Sequence, residues 1–161
     1  VSEAGTPLTM ETVDLLEVAR ECVERQKVNA KRSFISLTYL GESAPVLGSR
    51  SLLDELCQNL CDNAIRYNRP GGKVQIITAC TRDGHCSLTV KDNGIGIPKE
   101  AQSSVFERFY RVDKSRSKAT GGTGLGLAIV KHIARIHNAR IKLESEIGEG
   151  TTITVLFETA H

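Results

Sequence analysis

Apolar residues recur at helical spacing in three stretches of the chain. The first stretch follows Asp14, which can cap the start of a helix, and charged residues fill its opposite face as far as Arg32. The second begins at Ser49 and continues to about Tyr67, where a run of Asn, Arg, Pro and Gly stops it. The third stretch is Thr123–His137. The pattern therefore predicts three long helices.

Runs rich in β-branched residues lie between these helices and after the last one. The predicted strands are residues 34–40, Val74–Thr81, His85–Lys91, Arg140–Glu146 and Thr151–Phe157. Asp83-Gly84 is a two-residue hairpin signal between the second and third strands, and Lys99–Phe109 is predicted to form a short helix. This order predicts an α+β fold, a two-layer α/β sandwich in which a mixed sheet carries the helices on one face.

Composition narrows the class of protein. The 161 residues suit one domain, and 40 % hydrophobic with 25 % charged residues excludes a chain that is mainly disordered, collagen-like or coiled coil. A net charge of +2 is too small to indicate nucleic-acid binding by itself, and no nucleic-acid partner is expected. No apolar run approaches the roughly 18–20 residues that cross a bilayer.

The chain has five cysteines, an odd number, and none lies in a C-x-x-C motif. They are Cys22, Cys57, Cys61, Cys80 and Cys86. This usage favours a reduced setting in which the cysteines are small buried thiols.

Three polar side chains lie at the edge of the apolar stripe of the second predicted helix. At about 100° per residue, Asn59, Asn63 and Arg66 fall within about 60° of one another. One interpretation is a solvated flank of the helix. The other is a binding site, because amide oxygens can ligate Mg²⁺, a hard ion that takes oxygen donors.

A glycine-rich loop, Asp92–Pro98, directly follows a predicted strand. Glycines let the backbone fold tightly and approach a ligand closely. The Asp92 carboxylate can accept a hydrogen bond from an exocyclic amine such as N6 of adenine. The alternative is a tight turn in which Asp92 bonds its own backbone.

A second glycine-rich loop, Gly121–Leu127, runs into the third predicted helix. Free amides at a helix N-terminus, reached through glycines, form an anion site that suits phosphate. Leu127 breaks the dinucleotide-binding fingerprint and the P-loop Lys is missing, so neither of those two nucleotide folds is supported.

The stretch between the two glycine loops begins with Phe106–Arg111 and continues with further cations. It is either a solvated basic loop or a lid whose cations close over phosphates.

Five segments occur in an order and at a spacing that resemble the bacterial sensor histidine kinases, above all the phosphate-regulon-like ones. Asn59–Tyr67, Asp92–Pro98, Phe106–Arg111, Gly121–Leu127 and Gly148–Thr151 resemble the N, G1, F, G2 and G3 boxes of that family. The resemblance covers about residues 14 to 157. It implies the Bergerat ATP-binding fold, which heat-shock-90 chaperones, type II topoisomerases and mismatch-repair ATPases share.

The resemblance implies roles for individual residues, with ATP and Mg²⁺ as cofactors. Asn63 would ligate Mg²⁺, Asp92 would bind the adenine amine, and Asn59 and Arg111 would be catalytic. The implied nucleotide-binding residues are Asn59, Asn63, Arg66, Tyr67, Asp92, Gly94, Gly96, Ile97, Tyr110, Arg111, Gly122, Thr123, Gly124, Leu125, Gly126 and Thr151. Arg66 replaces the usual Lys, and a planar fork is not geometrically equivalent to a point donor.

The resemblance also implies a domain organisation and partners. Residues 11–161 would be the catalytic and ATP-binding domain, and residues 1–10 a remnant of a linker or of the dimerisation helical hairpin. None of the four histidines, His85, His132, His137 and His161, fits the phosphoacceptor, which is normally followed by an acidic residue. We therefore expect a separate dimerisation and phosphoacceptor domain as the direct partner and a response regulator receiver domain downstream. The isolated domain would be monomeric and cytoplasmic, and the full-length protein a homodimer in the bacterial membrane.

Two alternative functions stay open. The first is an ATP hydrolase of the same superfamily, although those enzymes carry a Glu one helical turn before the Mg²⁺-binding Asn, where this chain has Asn59. An amide cannot act as a general base, which disfavours hydrolysis. The second is a nucleotide-binding regulatory module. An anti-sigma-type serine kinase would share the fold, but the Phe106–Arg111 segment resembles the histidine kinases more.

Overall fold

The computed structural model describes residues 9–106 and 126–158, which form seven strands and three α-helices. The elements are β1 (Glu11–Asp14), α1 (Leu15–Arg32), β2 (Ser36–Gly41), β3 (Pro45–Gly48), α2 (Arg50–Arg66), β4 (Lys73–Cys80), β5 (His85–Asp92), α3 (Gly126–Ile136), β6 (Arg140–Glu146) and β7 (Gly150–Glu158).

The main sheet has five strands in the order β2-β4-β5-β7-β6. Strand β2 runs parallel to β4, and the other neighbours are antiparallel, so the sheet is mixed as predicted. Buried residues alternate with half-buried or exposed ones along β4 and β5, which leaves one face of the sheet to pack on the helices. The predicted two-layer α+β fold is confirmed.

Local signals place the starts of α1 and α2 correctly. Oδ1 of Asp14 accepts a hydrogen bond from the Leu16 amide at 3.0 Å, and Oγ of Ser49 accepts one from the Leu52 amide at 3.5 Å. Both residues are N-caps that satisfy an amide in the first turn of their helix.

The β4–β5 hairpin differs in detail from its prediction. The Thr81 amide donates to the His85 carbonyl at 2.7 Å, so three residues, Arg82 to Gly84, form the loop instead of two. Gly84 has φ +90°, which suits the left-handed position that closes a three-residue loop.

The predicted helix over Lys99–Phe109 is wrong within the described residues. Lys99–Ala101 form a single 3₁₀ turn, and turns continue to Phe106. The Gln102 side chain donates to the carbonyls of Ile97 and Ser145, both at 3.1 Å, and these contacts tie the segment to the sheet instead of extending a helix.

The small antiparallel pair β1–β3 was not among the predicted elements. Each strand has only four residues, too few for a clear alternation.

The cysteines form two classes. Cys22, Cys57 and Cys61 are buried thiols in the contact between α1 and α2, as predicted. Hydrogen bonding to Cys22 and burial raise the pKa of the Cys57 thiol well above its ordinary value. Cys80 and Cys86 are instead joined by a disulfide, so the expectation of five thiols is wrong for this pair. The reason is register: the two cysteines lie directly opposite each other on β4 and β5.

Candidate functional site

The Asp92 carboxylate lies at the end of β5, at the edge of the sheet. Its Oδ1 accepts hydrogen bonds from the Gly94 amide at 2.8 Å and from the Thr151 amide of β7 at 3.2 Å. Burial raises the pKa of Asp92 to about 6, although these two amide bonds act in the opposite direction. Among the described residues, no cation pairs with Asp92 and no group donates a hydrogen bond to its Oδ2. This oxygen is therefore available to a donor from a ligand.

The loop after Asp92 packs closely against the backbone of other segments at two of its glycines. A Cβ on Gly94 would lie 2.4 Å from the Tyr67 carbonyl oxygen, and one on Gly96 would lie 2.1 Å from the Glu146 carbonyl oxygen. Gly96 also has φ +77°, a conformation that side chains oppose. The predicted tight turn, in which Asp92 bonds its own backbone, is therefore present, since the Gly94 amide donates to Oδ1 of Asp92. The predicted close approach of this backbone to a ligand stays a prediction.

Ser145 of β6 connects this loop to β7. Its Oγ accepts a hydrogen bond from the Ile97 amide at 2.8 Å and donates to the Gly150 carbonyl at 3.0 Å. Oγ1 of Thr151 lies 2.8 Å from the Ser145 Oγ. Because the Ser145 hydroxyl already donates its one hydrogen to Gly150, Thr151 is the donor in this contact. The sequence analysis did not select Ser145, since no motif marks it.

Arg69 connects the end of α2 to both loops at the edge of the sheet. Its Nη2 donates to the Asn93 carbonyl and to the Gly148 carbonyl, each at 3.1 Å. Sequence reasoning missed this residue too, because Arg69 lies in a run of turn residues and its second partner is 79 positions away.

Asn59 and Asn63 lie on α2 and face the start of α3. Their Oδ1 atoms lie 3.7 and 3.8 Å from the position that a Cβ on Gly126 would occupy. The Asn59 Nδ2 donates to the Glu55 carbonyl at 3.0 Å, which orients the amide and leaves its oxygen toward α3. The structure thus brings together the three predicted residues, with both amide oxygens beside a glycine that has no side chain of its own.

Arg66 has a different environment from the two asparagines. Its Nε lies 3.2 Å from Oδ2 of Asp62, and its side chain lines a groove of about 500 Å³ with Arg32 and Phe34. Burial raises the pKa of Asp62, and Arg66 lowers it. The predicted phosphate contact of Arg66 stays a prediction, as it competes with this ion pair.

Several predicted site residues lie outside the described residues. They are Tyr110, Arg111, Gly122, Thr123, Gly124 and Leu125.

The family assignment follows from comparison with known proteins. Residues 48–161 match the family described as histidine kinase-, DNA gyrase B-, and HSP90-like ATPase. The chain belongs to this family. The match includes α2, the Asp92 loop and β7, so the site described above lies within the family's ATP-binding domain.

Relatives place this ATPase-family domain among the sensor histidine kinases. The sensor-like histidine kinase SenX3 of Mycolicibacterium smegmatis is 49 % identical over 150 residues, which cover 91 % of this chain and 38 % of the relative. The sensor histidine kinase YkoH of Bacillus subtilis is 38 % identical over 156 residues, 97 % of this chain and 34 % of the relative. The chain therefore spans little more than a third of the length of these curated relatives.

Solved structures of histidine kinases are also similar to this chain. The mycobacterial sensor histidine kinase MprB is similar with a TM-score of 0.79 and 32 % identity, covering 93 % of this chain and 97 % of that one. Full-length ShkA in complex with AMPPNP is similar with a TM-score of 0.81 and 25 % identity, covering 96 % of this chain and 32 % of that one. The predicted resemblance is confirmed: this is an ATP-binding catalytic domain of the sensor histidine kinase type.

None of the helices in the described part of the chain is long and apolar enough to span a membrane.

Proposed function

We propose that residues 11–161 bind ATP with Mg²⁺ and transfer its γ-phosphoryl group to a histidine on a separate helical domain. The observation that carries the proposal is Asp92, a largely buried carboxylate whose partners in the described part of the chain are two backbone amides. Carboxylates seldom stay in such a place without a counter-charge or further donors. An adenine N6 amine that donates to Oδ2 would supply the missing partner.

The surroundings of Asp92 support an adenine site. The Tyr67 backbone, the 94–97 loop and Thr151 lie around it and are joined by hydrogen bonds, which pre-organises the site. In this proposal Gly94, Gly96 and Ile97 lie against the base, and Tyr67 and Thr151 lie beside it.

The amides of Asn59 and Asn63 support a metal and phosphate site. Both oxygens lie beside Gly126, and neutral oxygens are suitable ligands for a hard cation that keeps phosphate oxygens in its shell. Mg²⁺, when bound there, would neutralise phosphate charge. Asn63 would hold the ion, and Asn59 would orient the phosphates.

The remaining roles are proposed from the family pattern. Gly122, Thr123, Gly124 and Leu125, together with Gly126, would donate backbone amides to the phosphates. Tyr110 and Arg111 would come from the lid, with Arg111 directed at the γ-phosphate, where charge stabilisation matters most in the transition state. Arg66 would approach the phosphates only after leaving Asp62.

Asn59 also supports a kinase over a hydrolase. Its Nδ2 is engaged by the Glu55 carbonyl, and an amide does not take a proton from water. The proposed acceptor is a histidine of the protein's own dimerisation domain, and the phosphoryl group then passes to a response regulator receiver domain. We propose that the isolated domain is monomeric and cytoplasmic, and that the full-length protein is a membrane-bound homodimer.

The test supplies the acceptor separately. The domain is incubated with γ-labelled ATP, Mg²⁺ and a purified helical dimerisation domain from a related kinase, with released phosphate measured in parallel. We expect acid-labile label on the acceptor and very slow phosphate release from the domain alone. Arg111→Ala should lower transfer more than ATP affinity. Fast phosphate release without labelled acceptor would instead identify a hydrolase.

A further inference from the structure

The Cys80–Cys86 disulfide lies at the tip of the β4–β5 hairpin, at the opposite end of β5 from Asp92. Asp92 lies six positions after Cys86, which is roughly 20 Å along a strand. The disulfide therefore belongs to a different part of the molecule from the nucleotide site.

The backbone places the two sulfurs in position to bond. The neighbouring Thr81 amide donates to the His85 carbonyl, whereas the Cys80 amide points away from β5 and donates to Oε1 of Glu42 at 2.8 Å. Cys80 and Cys86 thus form a non-hydrogen-bonded pair, in which side chains of antiparallel strands come closest. Their Cα atoms are 4.1 Å apart.

The two sulfurs differ in access. The Cys86 side chain is fully buried in the hydrophobic core, whereas Cys80 is partly exposed beside the exposed loop residues Thr81, Arg82 and Asp83. A thiolate from solvent therefore reaches Sγ of Cys80 and not Sγ of Cys86.

The fold also accommodates the reduced pair. Strands β4 and β5 are paired from Val74 to Cys80, and the Thr81 amide donates to the His85 carbonyl beyond the disulfide, so the register does not depend on the covalent bond. Sγ of Cys80 lies 3.7 Å from the Ser43 carbonyl oxygen, which can accept a hydrogen bond from a Cys80 thiol. Cys86 as a thiol would remain a small buried apolar group.

We propose that Cys80 and Cys86 form a reversible redox pair that exchanges with external thiols at Cys80. A thiolate attacks Sγ of Cys80, the sulfur–sulfur bond breaks, and Cys86 leaves as a thiolate that takes up a proton. A second external thiol then displaces Cys80 from the mixed disulfide. Two external thiols become one disulfide while the protein disulfide becomes two thiols, and a low-molecular-weight disulfide drives the reverse reaction.

The first test counts alkylated cysteines by intact mass. Protein oxidised with glutathione disulfide should give three N-ethylmaleimide adducts in denaturant, on the buried thiols Cys22, Cys57 and Cys61. Protein that is first reduced with dithiothreitol under native conditions should give five N-ethylmaleimide adducts in denaturant, one on each cysteine. A brief native exposure of the reduced protein should label Cys80 first, at least about tenfold faster than Cys86, because exchange and alkylation depend on access.

The second test uses matched variants. Glutathione disulfide should form a stable mixed disulfide on Cys80 in Cys86→Ser, and little or none on Cys86 in Cys80→Ser. Five adducts from oxidised wild type, or resistance of the disulfide to native dithiothreitol, would overturn the redox pair. Equal or faster labelling of Cys86 than of Cys80 in the wild type would overturn the direction of exchange. The relative labelling rates of Cys80 and Cys86 in the wild type test the direction of exchange even if Cys86→Ser does not fold.

Discussion

The Thr151 amide of β7 donates to Oδ1 of Asp92 on β5, and the two residues are also directly paired in the sheet. This bond fixes a carboxylate that burial disfavours, since burial raises the pKa of Asp92 to about 6. The protein therefore maintains a destabilising charge at the place where we propose that adenine binds. Binding sites often carry such a cost, because a polar group that the fold does not need is available to a ligand.

Asp92→Asn should stabilise the nucleotide-free protein at pH 8. The folded pKa is raised above the ordinary value of 3.8, so ionisation of Asp92 costs stability as pH rises from about 4 to about 6, and the cost is constant above that. The amide keeps an acceptor for Gly94 and Thr151 without the charge. We expect a gain of about 1–3 kcal/mol in the free energy of unfolding at pH 8, and none near pH 4.

Denaturant titrations at the two pH values measure this gain. Asp83→Asn, at an exposed position on the hairpin loop, is the control and should not stabilise the protein at pH 8. An equal gain for Asp92→Asn at both pH values would show that ionisation is not its cause.

Asn63→Ala should remove the Mg²⁺-dependent part of ATP affinity. Its amide oxygen faces the space beside Gly126, and no other described side chain except Asn59 brings an oxygen to that position. Calorimetric titration with ATP in the presence of Mg²⁺ or of a chelator measures the ratio of the two affinities. Asn63→Asp, which keeps an oxygen ligand, should retain the dependence on Mg²⁺. If Asn63→Ala keeps the wild-type ratio, another residue holds the ion.

Ser145→Ala should destabilise the protein and weaken ADP binding together. The substitution leaves the Ile97 amide and the Thr151 hydroxyl without their partner, at a cost of about 1–3 kcal/mol. Thr154→Val is the matched control, because it removes the hydroxyl contact with Thr89 on the same sheet but away from the site. Calorimetry should show weaker ADP binding for Ser145→Ala alone. Equal effects of the two variants on ADP affinity would contradict a specific role for Ser145.

Arg69→Ala should weaken ADP binding by roughly 2- to 10-fold, the value of one or two modest hydrogen bonds. Arg69 holds Asn93 and Gly148 through one nitrogen, so Arg69→Lys, which has three donors on one nitrogen, should restore much of the affinity. Hydrogen exchange should quicken at both loops in Arg69→Ala and stay unchanged in the exposed-loop control Arg82→Ala. Unchanged exchange in Arg69→Ala would remove its positioning role.

The parts of the fold that depend on residues close together in the sequence were predictable. Asp14 and Ser49 cap helices through contacts within three residues, and the β4–β5 hairpin closes over a short loop. The three-residue loop was missed because Thr81 pairs with His85, and an Asp-Gly signal does not set that register.

The site residues that lie in sequence motifs were predictable, and the others were not. Asn59, Asn63 and Asp92 stand in recognisable segments, and the structure gives them compatible surroundings. Ser145 and Arg69 act on backbone atoms of loops that are distant in sequence, and backbone atoms are the same in every residue, so no pattern of side chains reveals them. The disulfide was not predicted for a related reason, since it depends on which residues of β4 and β5 are paired.

The assignment of Asp92 to the adenine amine is the centre of the proposed function, and ADP affinity tests it most directly. ADP lacks the γ-phosphate, so its affinity reports the base contact without the transferred group. At pH 8 we expect calorimetry to show ADP and ATP binding weakened alike in Asp92→Asn, by roughly 5- to 150-fold, the equivalent of about 1–3 kcal/mol. Because this variant should be more stable than the wild type, unfolding would not explain the loss. Unchanged ADP affinity in Asp92→Asn would contradict the assignment.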